Sequence, residues 1–317
     1  MKKMFWLWIA AAGLIIAIGI TAILLLTGNQ PDMIGICYRE NSSEENRAYR
    51  SAMEQRLKDQ GYQVIVTDAD GDQAKQLELI DELKKRDCQA LIVEPVMSSA
   101  AEDLLNALAQ SGLPAVLVNR YFDPQLLQPY PQIAYVGIDP GQPGAVQGEM
   151  ANELQDGGDL NGDGIVSYIV LQGPEDHIDA ALRTQSLETA LAESPLEIQR
   201  LSIGYGALTA ESGQKLLRQE LAAYGKDIEV VFCGNEQIAQ GAADAIADGG
   251  RTVGKDIYLF SIGGEKGPVE SGVYSGTAYL DPASQISAAV DAVAALLAGK
   301  PVEQITILPY TAVISEK

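Results

Sequence analysis

Two clusters of side chains in this sequence have types and spacings that suit chemistry. The first is Asp159-Leu160-Asn161-Gly162-Asp163-Gly164-Ile165-Val166-Ser167. Oxygen-bearing side chains recur at loop positions 1, 3, 5 and 9 (Asp159, Asn161, Asp163, Ser167), with glycine at position 6. That is the ladder of hard oxygen donors that wraps a calcium ion. Ile165 at position 7 offers its backbone carbonyl, whatever its side chain. Position 12 is Val170, where an EF-hand carries a bidentate glutamate, so the loop needs a carboxylate from elsewhere in the chain. A strand-like run follows it, which excludes an EF-hand. The alternative for such an Asn/Asp/Gly stretch is a solvated turn. The second cluster is His177, Asp179 and Arg183, at the opening of a helical stretch. A carboxylate accepts two hydroxyl protons and a guanidinium fork donates to hydroxyl or ring oxygens, which suits a polyol. The alternative is an acidic first turn with a solvated arginine one turn on.

The elements that must position these groups alternate regularly. Apolar runs at Met33–Tyr38, Tyr62–Thr67, Gln89–Val93, Ala115–Val118 and Ala134–Ile138 predict strands, with helices over Ser43–Gln60, Asp72–Lys85 and Ala100–Gln110 between them. The rhythm restarts with a helix over Gln147–Leu154 and strands at Ile165–Leu171, Glu197–Ile203, Ile228–Cys233 and Ile257–Ile262. Helices over His177–Leu191, Thr209–Ala223 and Gln237–Ala247 separate those strands. A run at Ser275–Leu280, a helix over Ser284–Leu297 and a short run at Ile305–Leu308 complete the chain. Alternating strand and helix predicts an α/β fold of two doubly wound parallel-sheet lobes joined by a multi-strand hinge. The expected divisions are a membrane anchor and linker over 1–32 and a first lobe over 33–138, completed by 281–300. A second lobe carrying the metal loop runs over 139–280 and is completed by 301–317. Such sheets bind ligands at the carboxyl ends of their strands, which places the site in the cleft between the lobes. Asn119 and Asn235 stand at two of those ends.

Composition narrows the function classes. With 317 residues, 47 % of them hydrophobic, the chain is long enough for two packed lobes. A formal net charge of −21 argues against a nucleic-acid partner, because phosphate binding needs a basic face. The cysteines, Cys37, Cys88 and Cys233, lie far apart with no paired spacing, so buried free thiols are expected. His177 is the only histidine, and no serine or cysteine nucleophile is tied to it by motif, so no enzyme is expected.

The N-terminus reads as a tether. After Lys2 and Lys3, an apolar run extends from Phe5 to Leu26. As a helix it rises about 33 Å, enough for a hydrocarbon core of about 30 Å. It ends without a small-x-small cleavage site and without a cysteine to take a lipid. An uncleaved single-pass anchor with the globular part outside the cytoplasm is the expectation; the alternative is secretion after cleavage at an unusual site.

The loop D-L-N-x-D-G, the strand ending Val170-Leu171-Gln172-Gly173 and the following His177-x-Asp179-Ala180-x-x-Arg183 together resemble the type I periplasmic sugar-binding family, and within it the calcium-loop group that binds D-galactose and D-glucose. Tyr135-Val136-Gly137-Ile138-Asp139, Ile228-Glu229-Val230-Val231 with Asn235, and Gly276-Thr277 with Asp281 extend the likeness over about residues 33 to 314. The resemblance implies structural calcium held by Asp159, Asn161, Asp163, the Ile165 carbonyl and Glu229, with Ser167 in place of a longer side chain. It implies sugar contacts from Asn119, His177, Asp179, Arg183 and Asn235. It departs where Gly263 and Leu280 replace polar ligands, and where Leu208, with Tyr205 nearby, stands in place of a stacking aromatic. The function implied is capture of a small polar solute, a monosaccharide, for an ABC-type sugar permease. The alternative is a ligand-sensing subunit signalling to a membrane histidine kinase or chemoreceptor.

Overall fold

A computed structural model of the chain describes residues 31–315 apart from 41–43, 122 and 176–177. The apolar N-terminal run and His177 lie outside the described residues, among which no helix is long and apolar enough to cross a membrane.

The described chain forms two six-stranded sheets. The first has strand order β11-β5-β4-β3-β1-β2. Its strands are β1 (Met33–Tyr38), β2 (Gln63–Asp68), β3 (Ala90–Val93), β4 (Ala115–Asn119), β5 (Ile133–Gly137) and β11 (Ile305–Ile307), all paired in parallel. The second has order β12-β10-β9-β8-β6-β7, built from β6 (Ile165–Gln172), β7 (Glu197–Tyr205), β8 (Val230–Cys233), β9 (Tyr258–Ile262), β10 (Gly276–Tyr279) and β12 (Thr311–Ile314). Only the edge strand β12 runs antiparallel, against β10. β3 (Ala-Leu-Ile-Val) and β8 (Val-Val-Phe-Cys) are buried at every residue. Strands covered on both faces need such continuous apolar runs.

Helices supply the cover. On the first sheet, α1 (Glu44–Asp59) and α8 (Pro282–Leu297) bury Met53, Leu57, Ile286 and Val290 on one face. On the other, α2 (Gln73–Lys85) and α3 (Ala101–Ser111) bury Leu83, Leu104 and Leu108. On the second sheet, α4 (Gln142–Asn152) and α5 (Ile178–Leu191) pack on the side of Val166, Tyr168 and Val170; α6 (Ala210–Tyr224) and α7 (Glu236–Asp248) pack on the side of Ile169 and Leu171. The alternate residues of β6 thus feed two separate cores, as the two-residue period of a strand requires. Side-chain caps fix where helices begin. Asp72 accepts from the N–H of Ala74, Thr209 from Ser212 and Asp281 from Ala283, each meeting one of the donors a helix start leaves unpaired.

The tail corrects one expectation. Residues 301–317 do not complete the second lobe alone. β11 adds to the first sheet beside β5, and only β12 joins the second. The chain therefore passes between lobes over 137–142, 279–282 and 307–311. Helix α4 also begins at Gln142 and not at Gln147, with Pro143 in its first turn. Gly144 and Gly148 blur its periodicity because they pack by having no side chain: a Cβ on Gly144 would collide with the backbone carbonyl of Arg183 in α5.

Candidate functional site

The carboxyl ends of both sheets carry the polar groups that face the cleft. In the first lobe, three loops leaving adjacent strands are bonded to one another. Arg39, just past β1, pairs with Glu40 at 2.6 Å. Glu94, just past β3, accepts the Arg39 backbone N–H at 3.3 Å on one oxygen and the Asn119 side-chain amide at 3.1 Å on the other. Asn119 closes β4 with φ +65°, a left-handed conformation that asparagine tolerates better than most residues. The turn it makes sends on Arg120, whose guanidinium donates to the Val96 carbonyl. Burial, and then the nearby Arg39, pull the Arg120 pKa below the usual arginine range, while Asp179 and Glu94 oppose that shift. Asp179 belongs to the second lobe, so its charge acts across the cleft.

In the second lobe, α5 brings Asp179 and Arg183 onto one face, one turn apart. Arg183 is fixed by Nη1, which donates to the Gly234 carbonyl at 2.9 Å just past β8. Its Nε is buried and has no partner among the described residues. Asn235 caps α7, its Oδ1 accepting from the Ile238 N–H at 2.8 Å, which leaves the Nδ2 end of the amide as the available donor. Beside Arg183 a small cavity of about 30 Å³ reaches from Leu208, 40 % exposed, past Gly234, Thr184, Gln147 and Gln172 to Val170 and Ile262. Gly263 lies at the end of β9 with φ +77° and open space around it, and Leu280 is half-buried beyond β10, so neither adds a polar side chain to the wall.

Of the sequence-predicted ligand residues, the structure brings Asp179, Arg183 and Asn235 together at the strand ends of the second lobe and sets Asn119 at a strand end of the first. Arg39, Glu94 and Arg120 join them without having been singled out. The available signal was positional: each stands within two residues after a buried apolar strand.

The predicted metal loop lies at the opposite, amino end of β6. Its backbone is wound on its own side chains. Asp159 accepts N–H bonds from Gly162 at 2.7 Å and from Gly164 at 2.9 Å. Asn161 accepts from Asp163 at 2.8 Å, and Asp163 from Ile165 at 2.9 Å. Glu229, 68 residues on from Asn161 and 2 % exposed, closes the loop by accepting from the Asn161 N–H and the Ser167 N–H, both at 3.0 Å. Burial raises the Glu229 carboxyl pKa. Among the described residues no three acidic, histidine or cysteine side chains converge closely enough to hold an ion as they stand. The donor types nonetheless fit a hard cation: each carboxylate oxygen bonded to one N–H retains a lone pair, and a cation there offsets the cost of burying Glu229.

The sequence matches the family described as "Periplasmic binding protein domain" over residues 34–301. It is 26 % identical over 206 residues to the D-galactose/methyl-galactoside binding periplasmic protein of Haemophilus influenzae, covering 64 % of this chain and 61 % of that relative, less than two thirds of its length. A putative rhizopine-binding protein of Rhizobium meliloti is 25 % identical over 299 residues, covering 92 % of this chain and 94 % of that one. In fold the chain is similar to an ABC transporter periplasmic solute-binding protein from Actinobacillus succinogenes with bound D-allose. The TM-score is 0.77 at 19 % identity, with 90 % of this chain and 98 % of that one covered.

Proposed function

From the premise that this chain belongs to the periplasmic binding protein family, we propose that it captures a small polyol of the monosaccharide class between its lobes and delivers it to an ABC-type sugar permease. It performs no chemistry on the solute. The observation that carries the reading is Arg183: one guanidinium nitrogen is tied to the Gly234 carbonyl, and the Nε donor is buried without an acceptor among the described residues. A buried donor without a partner costs free energy that a ligand oxygen recovers. Asp179 on the same helix face and Glu94 and Arg120 on the facing lobe supply the mixed acceptors and donors that hydroxyl groups need. Relatives named for a galactoside, or holding D-allose, are of the same ligand class. Closure of the lobes about the three crossings completes the site.

Two further parts of the proposal lie outside the cleft. Calcium is held by Asp159, Asn161, Asp163, the Ile165 carbonyl and Glu229, and it stiffens the loop that enters β6. The run from Phe5 to Leu26 anchors the chain in the membrane with the lobes outside the cytoplasm. Retention in membrane pellets through a high-salt wash tests the anchor, because salt screens charge and leaves hydrophobic insertion intact. The function is tested by thermal shift of the detergent-extracted chain against a panel of monosaccharides and polyols. A ligand at 100 Kd adds about 2.7 kcal/mol. A flat response across the panel rejects the polyol reading.

A further inference from the structure

We propose that the amino edge of the first sheet is a membrane-facing surface that seats on anionic phospholipid headgroups. This rests on the anchor reading above and adds to it the side of the lobe that meets the bilayer. Three observations carry it. The first is where the chain enters the lobe. At the start of β1 the Asp32 carbonyl accepts from the Gln63 N–H at 3.0 Å, and the Met33 N–H donates to Gln89 Oε1 at 2.6 Å. From Leu26, the end of the apolar run, Asp32 is reached by at most about 21 Å of chain. That edge is therefore tethered within reach of the headgroups. The second is charge. Parallel strands send each connecting helix back, so its last turn returns to the edge where the next strand begins. α1 brings Arg56 and Lys58 there, α2 brings Lys84, Lys85 and Arg86, and Lys300 follows α8, all of them exposed. Asp32, Asp59, Asp87 and Glu303 share the edge, which stays net positive on a chain of net charge −21. Lys58, Lys85 and Arg86 pair with Glu54, Asp81 and Glu82, each one helical turn earlier and so about 5 Å farther from the edge. The basic layer is outermost, and an anionic surface meets it first. The third is the contrast with the second lobe. A basic last turn complements the dipole of any helix, yet α5, α6 and α7 have none. Their edge carries Asp159, Asp163, Glu193, Asp227 and Asp256 against Lys226, Arg251 and Lys255. A dipole role alone would mark both lobes alike. Attraction of lysine and arginine to anionic lipid acts within about a Debye length, about 8 Å, a gap the tether allows to close. The ligand groups stand at the opposite, carboxyl ends of the same strands, so seating this edge turns the cleft toward bulk solution.

The test uses the full chain reconstituted in vesicles of phosphatidylcholine, either alone or with about one third phosphatidylglycerol, both carrying a headgroup-nitroxide lipid as quencher. The native cysteines are buried, so a dye on Gln60→Cys reports the first-lobe edge and a dye on Ala192→Cys the second-lobe edge. Quenching at the first-lobe site is expected to rise at least about twofold in the anionic vesicles and to fall back in high salt, with no rise at the second-lobe site. Arg56→Gln combined with Lys84→Gln and Lys300→Gln removes the three basic groups that have no acidic partner among the described residues. It is expected to abolish the rise in a chain of unchanged melting temperature. If that variant melts lower, the lipid and salt dependence of the wild-type chain decides alone. Equal quenching in the two lipids by a chain that resists a salt wash overturns the seating and leaves the anchor intact. A rise at the second-lobe site, or one that survives in the stable triple variant, overturns it as well. Loss of the chain from phosphatidylcholine vesicles on a salt wash rejects the anchor and the seating with it.

Discussion

Replacing Arg183 separates a binding residue from a structural one, because the structure gives the two roles opposite signatures. Among the described residues the side chain makes one hydrogen bond, Nη1 to the Gly234 carbonyl at 2.9 Å, and leaves one buried donor, Nε, unmet. Arg183→Ala removes a bond worth about 1 kcal/mol and relieves an unmet donor that costs about 1–3 kcal/mol. The two changes offset, so the ligand-free stability is expected to move by no more than about 1–2 kcal/mol. With ligand bound, the same substitution removes a charged hydrogen bond worth about 1.5–3 kcal/mol, a loss of roughly tenfold to hundredfold in affinity. Arg183→Lys keeps the charge but not the planar fork and is expected to fall between wild type and alanine. Urea unfolding of the free chain measures the first quantity, and calorimetry with the best-bound sugar measures the second. An affinity loss under threefold, or a stability loss above about 3 kcal/mol in the free chain, refutes the assignment.

Chelation is expected to lower the melting temperature by about 5–10 °C, the equivalent of about 2.7 kcal/mol at 100 Kd of calcium for a lobe of this size. Asp163→Ala and Glu229→Ala are expected to abolish the difference, and a wild-type melt indifferent to chelator refutes the site. The three cysteines are free and buried, and burial pushes the Cys37 thiol up to about 11 and raises Cys88 and Cys233 as well. Only the thiolate is nucleophilic, and a raised pKa depletes it below that value. Iodoacetamide at pH 8 should therefore leave the native chain unlabelled and label all three after unfolding; rapid native labelling refutes the burial. Gly144→Ala drives a methyl group into the Arg183 carbonyl and should destabilise the second lobe by about 1–3 kcal/mol, the range for overpacking, while weakening sugar binding by moving α5. Unchanged stability and affinity would show that α4 and α5 separate freely.

What the sequence made legible follows from how each signal is written. Strands buried on both faces appear as largely apolar runs, so β1, β3, β4, β6 and β9 stand out within a residue or two. Helix α4 is obscured because its contact with α5 is made by glycines, and an absent side chain leaves no periodicity. β12 is four residues long with half of them exposed, and its one sheet neighbour lies 38 residues earlier at the point where Gly276 meets Ile314. The Asp159 loop and Glu229 meet through backbone N–H bonds that spacing alone does not reveal. Arg39, Glu94 and Arg120 look like ordinary charged loop residues until three parallel strands set their ends side by side. The unmet Arg183 Nε is a property of packing, and no residue pattern encodes it.

The division of the C-terminal tail bears on how such a cleft closes. Two crossings alone allow the lobes to twist as well as hinge. Here β11 is bonded to β5 and β12 to β10, so the third crossing, 307–311, is pinned at both ends by sheet hydrogen bonds. The Leu308 N–H donates to the Gly137 carbonyl at 2.8 Å, and the Tyr310 N–H to Gln142 Oε1 at 3.0 Å, so the third crossing is stitched to the first along its length. Beneath them the fully buried Tyr135 fills the space a side chain on Gly137 would need, its hydroxyl donating to the Ile138 carbonyl at 3.4 Å. Strands bonded side by side resist shear and bend across their width more readily. A hinge about that strip would bring Asn119 and Arg120 toward Asp179 and Arg183 without sliding them past one another. Leu308 bonds to Gly137, the register partner of Asn119, so the tail would hold Asn119 and Arg120 in line with Asp179 and Arg183 during such a motion.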